Sequence, residues 1–340
     1  MGDFLMPSLG ADMESGTLVE WKVKVGDRVK RGDLVAVVET VKGAIDVEIF
    51  EDGVITELVV QPGAEVPVGA VLARLDGAGE PRERPRLSPR QRKLQAEQQG
   101  EPQPVTPAQA APLPAAPKPM PKTMREAIGA AMARSKREIP HYYLQAQVDV
   151  QRAVDWLRAE NEKRAVTERV LPAALLLKAC ALALQQVPEL NGTFRDGAFT
   201  PSPSVHLGVA VSLKGGGLVA PAIHDAQELP VSELMAKLLD VVGRARSGRL
   251  TSSELSDGTI TVTNLGDLGV DTVLGVIYPP QVAIVGLGKI VERPWVREGR
   301  VVPRQVVAVS LSADHRVSDG HRGGVFLSAV DALLQKPEAL

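Results

Sequence analysis

Hydrophobic and polar residues alternate along the first part of the chain in short runs that glycines separate. Alternation with a period of two predicts half-buried β-strands, because successive side chains of a strand point to opposite faces. In VVETVKGAIDVE, residues 37–48, one such run approaches Lys42 and another leaves it. The pattern therefore predicts a β-hairpin with Lys42 at its tip.

The same region contains an internal repeat with a constant offset of 37 residues. The first copy, GTLVEWKVKVGDRVKRGDLV, starts at Gly16, and the second, GVITELVVQPGAEVPVGAVL, starts at Gly53. One copy is too small to bury its own apolar face, so the pair predicts a pseudo-twofold β-sandwich. Lys42 lies between the copies, where it is either an ordinary surface charge or a lysine displayed for covalent modification.

The region from residue 123 onward has the mixed pattern of an α/β domain. Apolar residues three to four positions apart predict helices, as at Leu234, Leu238 and Val241. The predicted helices cover residues 123–136, 149–164, 171–187, 229–250 and 324–334, and the predicted strands cover residues 204–213, 258–264, 281–287 and 304–312.

A proline-rich stretch separates the two regions. Residues 77–122 contain 11 of the 26 prolines, and proline fixes φ and removes a backbone donor that helices and sheets need. We expect an extended, semi-stiff tether that spans more than about 100 Å at roughly 3.1 Å per residue. The chain is therefore divided into residues 1–76, 77–122 and 123–340.

Composition narrows the functional classes. The 340 residues are 44% hydrophobic, and the net charge of −2 gives no reason to expect nucleic acid or a membrane surface as a partner. Cys180 is the only cysteine, so no disulfide can form within the chain and a reducing compartment fits. The N-terminus does not have the pattern of a secretory signal, and no apolar run is long enough to span a membrane. We predict a cytoplasmic protein with no metal site.

The last predicted strand runs directly into DHRVSDG, residues 314–320, which places His315 where the strand ends. An imidazole with a reference pKa of about 6.5 is suited to accept a thiol proton near neutral pH. Asp319 is expected to fix the loop through an ion pair, and Gly320 permits a tight turn. By composition alone, a buried structural histidine is the alternative.

The repeat with its central lysine resembles a lipoyl domain, or the related biotinyl domain. Biotinyl domains carry Met-Lys-Met at the tip, so Val41-Lys42-Gly43 favours the lipoyl type, although the usual lipoyl tip is Asp-Lys-Ala. The resemblance implies an all-β hammerhead fold with lipoate attached covalently to Lys42. A biotin carrier is the alternative.

The segment SLSADHRVSDG resembles the terminal active-site signature of the dihydrolipoamide acyltransferases, the E2 components of 2-oxo acid dehydrogenase complexes. Five further segments follow in family order across nearly all of residues 123–340: REAIGAAMARSKREIPHYY, VPELNGTF, GLVAPAIHDA, GTITVTNLGDLG and YPPQVAIVGLGKI. The resemblance implies a multidomain protein, with an all-β lipoyl domain, a disordered Pro/Ala-rich linker and an α/β, chloramphenicol-acetyltransferase-like catalytic domain.

The resemblance also implies roles for individual residues. His315 would be the general base that takes a proton from the thiol of coenzyme A. Thr263 stands where the family usually has a serine and would donate a hydrogen bond to the oxyanion. Asp319 would orient the active-site loop. His141 matches a family position, with simple packing as its alternative.

The implied reaction moves an acyl group, acetyl by default, from the lipoyl-lysine arm to coenzyme A. The implied partners are the E1 2-oxo acid decarboxylase and the E3 dihydrolipoamide dehydrogenase, and homotrimers would form a larger core. Residues 86–100 resemble the first helix of a subunit-binding domain whose remainder is missing. The alternatives are branched-chain acyl or succinyl transfer, or a non-catalytic scaffold that bears a lipoyl group.

Overall fold

The computed structural model describes residues 2–7, 13, 15–40, 43–76, 124–213 and 217–340. Lys42, the predicted tether and its helix at 86–100 lie outside these residues. The described part forms an all-β N-terminal domain up to Asp76 and an α/β C-terminal domain from Met124 onward. The predicted fold class is confirmed in this respect.

The described residues of the N-terminal domain form short strands. They are β1 (Gly2–Leu5), β2 (Ser15–Trp21), β3 (Arg28–Val29), β4 (Leu34–Thr40), β5 (Gly43–Glu48), β6 (Gly53–Leu58), β7 (Glu65–Pro67) and β8 (Val71–Asp76). They make two four-stranded sheets, in the orders β1-β8-β6-β3 and β5-β4-β2-β7. Strands β2, β3 and β4 of the first repeat correspond to β6, β7 and β8 of the second, which confirms the pseudo-twofold sandwich.

Two glycine turns show the same symmetry at the level of hydrogen bonds. The amide of Gly26 donates to the carbonyl of Ile55 (2.8 Å), and the amide of Gly63 donates to the carbonyl of Leu18 (2.6 Å). Both pairs are related by the 37-residue offset. The two glycines have φ of 98° and 90°, a backbone conformation that glycine adopts at little cost.

The C-terminal domain alternates helices with strands. Its helices are α1 (Met124–Glu138), α2 (Gln151–Glu162), α3 (Pro172–Gln186), α4 (Val231–Arg246), α5 (Ser252–Ser256) and α6 (Gly320–Leu334). Its strands are β9 (His141–Asp149), β10 (Gly192–Arg195), β11 (Ala198–Pro201), β12 (Leu207–Val209), β13 (Val211–Ser212), β14 (Leu218–Val219), β15 (Ala222–Ile223), β16 (Ile260–Asn264), β17 (Ala283–Leu287), β18 (Val291–Arg297) and β19 (Arg300–Asp314).

One mixed sheet organises this domain, in the order β15-β12-β16-β17-β19-β18, with β9 also paired to β19. Strand β16 runs parallel to β12 and β17, whereas β19 runs antiparallel to β17 and to β9. Strand β19 is longer than the predicted 304–312, because its first half pairs with β18 in a hairpin. The single strand predicted over 204–213 is wrong, because β13 turns away to pair with β14.

The two faces of the sheet are covered differently. Helix α3 is buried on nearly every side and packs against α6, as expected for a helix that is apolar all round. On α6, Phe326, Val330 and Leu334 are fully buried, which confirms the predicted face. Among the described residues, no helix is long and apolar enough to cross a membrane.

Residues 265–282, which we call the covering segment, lie across the opposite face of the sheet. The hydroxyl of Ser135 donates to the carbonyl of Ile277 (2.6 Å), and that of Ser310 donates to the carbonyl of Val273. Gly286 lies beneath the segment, and a Cβ atom at this position would be 2.2 Å from the carbonyl oxygen of Val273. Glycine is therefore required for the segment to approach the sheet closely.

Candidate active site

His315 lies where β19 ends, as the sequence predicts. The amides of Val317 and Ser318 donate to the carbonyl of Asp314 (3.0 and 3.1 Å), so the chain turns sharply there. The amide of His315 donates to the carbonyl of Pro140 (3.0 Å), which fixes its backbone. Its side chain is exposed, so the alternative of a buried structural histidine is wrong.

An ion pair spans His315. The carboxylate of Asp314 is fully buried and accepts hydrogen bonds from Nε and Nη2 of Arg316 (3.0 and 2.6 Å). These hydrogen bonds raise the pKa of the Arg316 guanidinium, which also lies 4.1 Å above the ring of Phe194. The pair links the two neighbours of His315 to each other and so stabilises the loop between them.

Tyr142, which sequence reasoning missed, contacts His315 directly. The two rings meet edge to face, with centroids 5.4 Å apart and planes at 72°. The Tyr142 hydroxyl forms a hydrogen bond of 2.9 Å with the hydroxyl of Ser318, and burial raises its pKa. One side chain therefore positions both the imidazole and the loop behind it. The sequence feature that could have indicated Tyr142 is its position directly after His141 in the segment IPHYY.

Among the residues that the structure describes, Asp319 has no partner for the expected ion pair. It is the N-cap of α6, and its carboxylate accepts the amide of Arg322 (3.0 Å), the main cause of its lowered pKa. Aspartate is a favoured N-cap because it satisfies an amide that the helix leaves unpaired. The ion pair of this loop belongs instead to Asp314 and Arg316, and Asp319 fixes the loop by anchoring its end to α6.

Thr263 and His315 do not come together within one chain. Thr263 of β16 is paired with Gly286 of β17, which is paired with Ser310 of β19. His315 follows Ser310 by five residues, so it lies about 16 Å further along the sheet at 3.3 Å per residue. The half-buried Thr263 and the exposed His315 thus lie near opposite ends of the central strands.

His141 has the packing role. The amide of Ile277 donates to its Nε2 (3.1 Å), so Nδ1 carries the proton and donates to the carbonyl of Ile139 (2.8 Å). Both nitrogens are used by the backbone, and burial lowers the pKa of the ring. His141 therefore stays neutral and ties the covering segment to the start of β9.

Two of the three arginines near the site, Arg134 and Arg316, are already paired. A cavity of 470 Å³ beside the active-site loop is lined by Arg134, Arg195 and Arg316 together with Glu138 and others. Glu138 pairs with Arg134 (3.0 Å). Farther away, Arg244 is bound to Glu254 and Asp240. Among the described residues, no group of His, Cys, Asp and Glu could hold a metal ion.

Two family profiles match this chain. The profile described as "2-oxoacid dehydrogenases acyltransferase (catalytic domain)" matches residues 118–340, and the profile described as "Biotin-requiring enzyme", which covers biotin and lipoyl domains, matches residues 2–75. Together they cover both described domains.

Curated relatives align along almost the whole chain. The acetyltransferase component of the acetoin cleaving system of Bacillus subtilis is 29% identical over 99% of this chain and 98% of its own length. The corresponding component of the pyruvate dehydrogenase complex of Zymomonas mobilis is 28% identical over 98% and 97%. The acyltransferase component of the branched-chain alpha-keto acid dehydrogenase complex of B. subtilis is 28% identical over 97% and 96%.

Solved structures match the C-terminal domain. A probable dihydrolipoamide acetyltransferase from Listeria monocytogenes has a TM-score of 0.60 and 31% identity over 66% of this chain and 97% of its own. The enzyme from Azotobacter vinelandii has a TM-score of 0.59 and 28% identity over 68% and 99%. The cubic core of a pyruvate dehydrogenase multienzyme complex has a TM-score of 0.60 and 29% identity over 70% and 98%.

The matching profile and the fold are thus those of an acyltransferase. The chain belongs to the 2-oxoacid dehydrogenase acyltransferase family. It carries its own lipoyl domain, whose cofactor is covalent lipoate, and it transfers acyl groups from lipoyl to coenzyme A.

The contact between Tyr142 and Ser318 makes a testable prediction. Tyr142→Phe keeps the edge-to-face contact but removes a hydrogen bond of about 1 kcal/mol, so kcat should fall about fivefold with KM for coenzyme A unchanged. Ser318→Ala should cause the same loss, and the double variant should lose no more than either single variant. Steady-state kinetics of the three variants checks this. Losses that multiply in the double variant would contradict it.

Proposed function

We propose that this chain moves an acetyl group from a lipoyl group on Lys42 to coenzyme A, with His315 as the general base. The observation that carries the proposal is the exposed imidazole of His315, held by Tyr142 and by the pair of Asp314 and Arg316. An accessible histidine in a fixed orientation is what proton transfer from a diffusing thiol requires.

The N-terminal domain fits a covalent group at Lys42. Thr40 and Gly43, which flank the undescribed residues 41 and 42, are paired, and the Thr40 hydroxyl donates to the Gly43 carbonyl (3.2 Å). Gly43 and Ala44 are exposed, and a Cβ atom at Gly43 would meet no atom within 4 Å. This end of the hairpin is therefore open to a modifying enzyme. When bound, the lipoyl group supplies a thiol that carries the acyl group as a thioester.

Each proposed site residue has one task. His315 takes the proton of the coenzyme A thiol on a ring nitrogen, and the resulting thiolate attacks the acyl carbon of the thioester. The bond from that carbon to the lipoyl sulfur then breaks, and the leaving thiolate takes the proton back from His315. The Thr263 hydroxyl donates to the oxyanion, and Asp319 holds the loop through the start of α6. In the A. vinelandii enzyme, a serine, a histidine and an asparagine four residues after the histidine were investigated for roles in catalysis. Asp319 follows His315 by the same four residues.

The distance between Thr263 and His315 leads to a second part of the proposal. Since one chain keeps them about 16 Å apart along the sheet, the site takes His315 from one copy and Thr263 from another. A closed trimer offers three such identical interfaces, and trimers would build a larger core. The similar structure described as a cubic core shows that this relative assembles.

Acetyl is the proposed acyl group because the acetoin and pyruvate dehydrogenase relatives are named acetyltransferases. Branched-chain acyl transfer is the second candidate, since the B. subtilis branched-chain component aligns equally well. The proposed partners are a decarboxylating E1 and the E3 dihydrolipoamide dehydrogenase, in the cytoplasm. The tether, residues 77–122, would let the lipoyl domain travel among them.

Removal of the base tests the central proposal. His315→Ala should lower acyl transfer between acyl-coenzyme A and dihydrolipoamide by about 10²–10⁴-fold. His321→Ala, which removes another exposed histidine six residues later, is the matched control and should keep the native rate. Turnover should be measured with acetyl-, isobutyryl- and succinyl-coenzyme A, and acetyl should be preferred. An unchanged rate for His315→Ala would overturn the proposal.

Mixing two variants tests whether two copies share a site. Thr263→Ala alone should lose about 10²–10³-fold in kcat. Trimers that mix Thr263→Ala with His315→Ala chains should regain about a third of the native rate, because one of their three interfaces combines two intact residues. Co-expression with two affinity tags isolates the mixed species. A mixture as inactive as its parents would place the site within one chain.

Intact mass tests the attachment site. The chain expressed with a lipoylating system should gain the mass of one lipoyl group, and Lys42→Arg should gain none. Lys30→Arg, on another exposed turn of the same domain, should be modified like the native chain. A gain of one biotinyl mass, or modification that persists in Lys42→Arg, would contradict the assignment.

A further inference from the structure

The two domains of this chain contact each other at a surface that does not include His315 itself. Strand β5 of the N-terminal domain meets residues 251–255, which we call the docking segment. Asp46 and Thr251 form a parallel β-bridge. The amide of Glu48 donates to the hydroxyl of Ser252 (3.2 Å), and the amide of Ser253 donates to Oε2 of Glu48 (3.2 Å). The contact therefore combines backbone pairing with side-chain hydrogen bonds.

The geometry uses a part of β5 that its own sheet leaves free. Strand β5 is the outer strand of the sheet β5-β4-β2-β7, so one row of its backbone donors and acceptors has no partner in that sheet. Such an edge readily accepts a further extended segment. Leu255 adds an apolar contact, since it packs against the cores of both domains.

The docking segment is also held by contacts within its own domain. Thr251 and Glu254 form a capping box at the start of α5. The carboxylate of Glu254 is also held by Arg244 (2.7 Å), and Asp257, just after the helix, lies 3.2 Å from Nε2 of His224. A surface fixed in this way loses little conformational entropy on binding, so even a small contact area is sufficient to bind the lipoyl domain.

The docking segment lies at the same edge of the central sheet as His315. Gly258, which follows α5 closely, accepts a hydrogen bond from the side chain of Gln281 (3.0 Å). The next residue, Val282, accepts the amide of Asp314 (2.9 Å). Two consecutive residues of the covering segment thus join the end of α5 to the residue before His315. A lipoyl domain bound there is on the active-site side of its own catalytic domain.

We propose that Thr251–Leu255 is a docking surface for the lipoyl domain of the same chain, bound through the outer edge of β5. The inference rests on the proposed function, because its purpose is to hold the loaded domain near the catalytic site. A tether gives the attached domain an effective concentration of the order of millimolar, so a dissociation constant in that range leaves the surface occupied in about half of the chains. Binding of this strength still releases the domain to visit other enzymes.

A pair of cysteines in the full-length chain tests the contact independently of activity. Strands pair about 4.8 Å apart, within the Cα separation of about 4.4–6.8 Å that a disulfide requires. Asp46→Cys with Thr251→Cys should therefore form an intramolecular disulfide under mild oxidation. Burial raises the pKa of Cys180 to about 12, so this thiol does not compete.

The matched control combines Thr251→Cys with Thr56→Cys, an exposed position on the other sheet of the lipoyl domain. It should cross-link far less. A gel under denaturing, non-reducing conditions separates the outcomes. A cross-linked single chain supports the proposal. Equal yields from both pairs, or covalent dimers alone, would overturn it.

Kinetics provide the second test. Glu48→Ala removes a charge-assisted hydrogen bond and should weaken docking about tenfold, so transfer from the attached lipoyl domain should slow several-fold. Transfer with free dihydrolipoamide, which needs no docking, should stay within about twofold of the native rate. Glu57→Ala, on the other sheet, is the control.

Equal rates for Glu48→Ala and Glu57→Ala with the attached domain would overturn docking. Inactivity of the native chain with free dihydrolipoamide would instead count against the proposed function, and the disulfide test would still decide docking.

Discussion

The ion pair between the fully buried Asp314 and the partly exposed Arg316 is the interaction on which the active-site loop depends. A carboxylate that is fully buried, as Asp314 is, must be paired, since an uncompensated buried charge is strongly destabilising. The planar guanidinium meets it with two nitrogens, which fixes orientation as well as charge. Because the paired residues flank His315, the same contact that neutralises the carboxylate leaves the imidazole facing solvent.

Close approach of the backbone to the central sheet makes this arrangement possible. The covering segment passes near enough to Gly286 that no side chain fits between them. It also supplies the amide of Ile277 to His141 and the carbonyl of Val282 to Asp314. The strand exit, the loop and the start of β9 therefore form one connected unit, and Tyr142 fills the space between that unit and the imidazole.

The proposed function makes two demands on each copy of the chain. The separation of Thr263 from His315 favours a site completed by a second copy, so catalysis and assembly would be coupled. The lipoyl domain would in addition have to leave the catalytic domain to be loaded. A weak contact through the edge of β5 is compatible with both demands. High affinity is not needed, because the covalent link keeps the lipoyl domain at a high effective concentration near this surface.

Features that depend on neighbouring residues could be predicted from the sequence. The 37-residue repeat predicted the two half-sandwiches, and the helical spacing of Phe326, Val330 and Leu334 predicted the buried face of α6. Such patterns are local, because period and turn chemistry act over a few residues. The sequence also placed His315 at a strand exit, since that position follows directly from the end of an apolar run.

Which distant residues meet depends on how the whole domain packs. Strand β9 pairs with β19 although more than half of the residues of the C-terminal domain separate them along the chain. This pairing brings Tyr142 to His315 and gives His141 its neutral, structural role. It also assigned the ion pair to Asp314 instead of Asp319, and it separated Thr263 from His315. No local pattern contains this information, because the register between strands is set by the packing of the whole sheet.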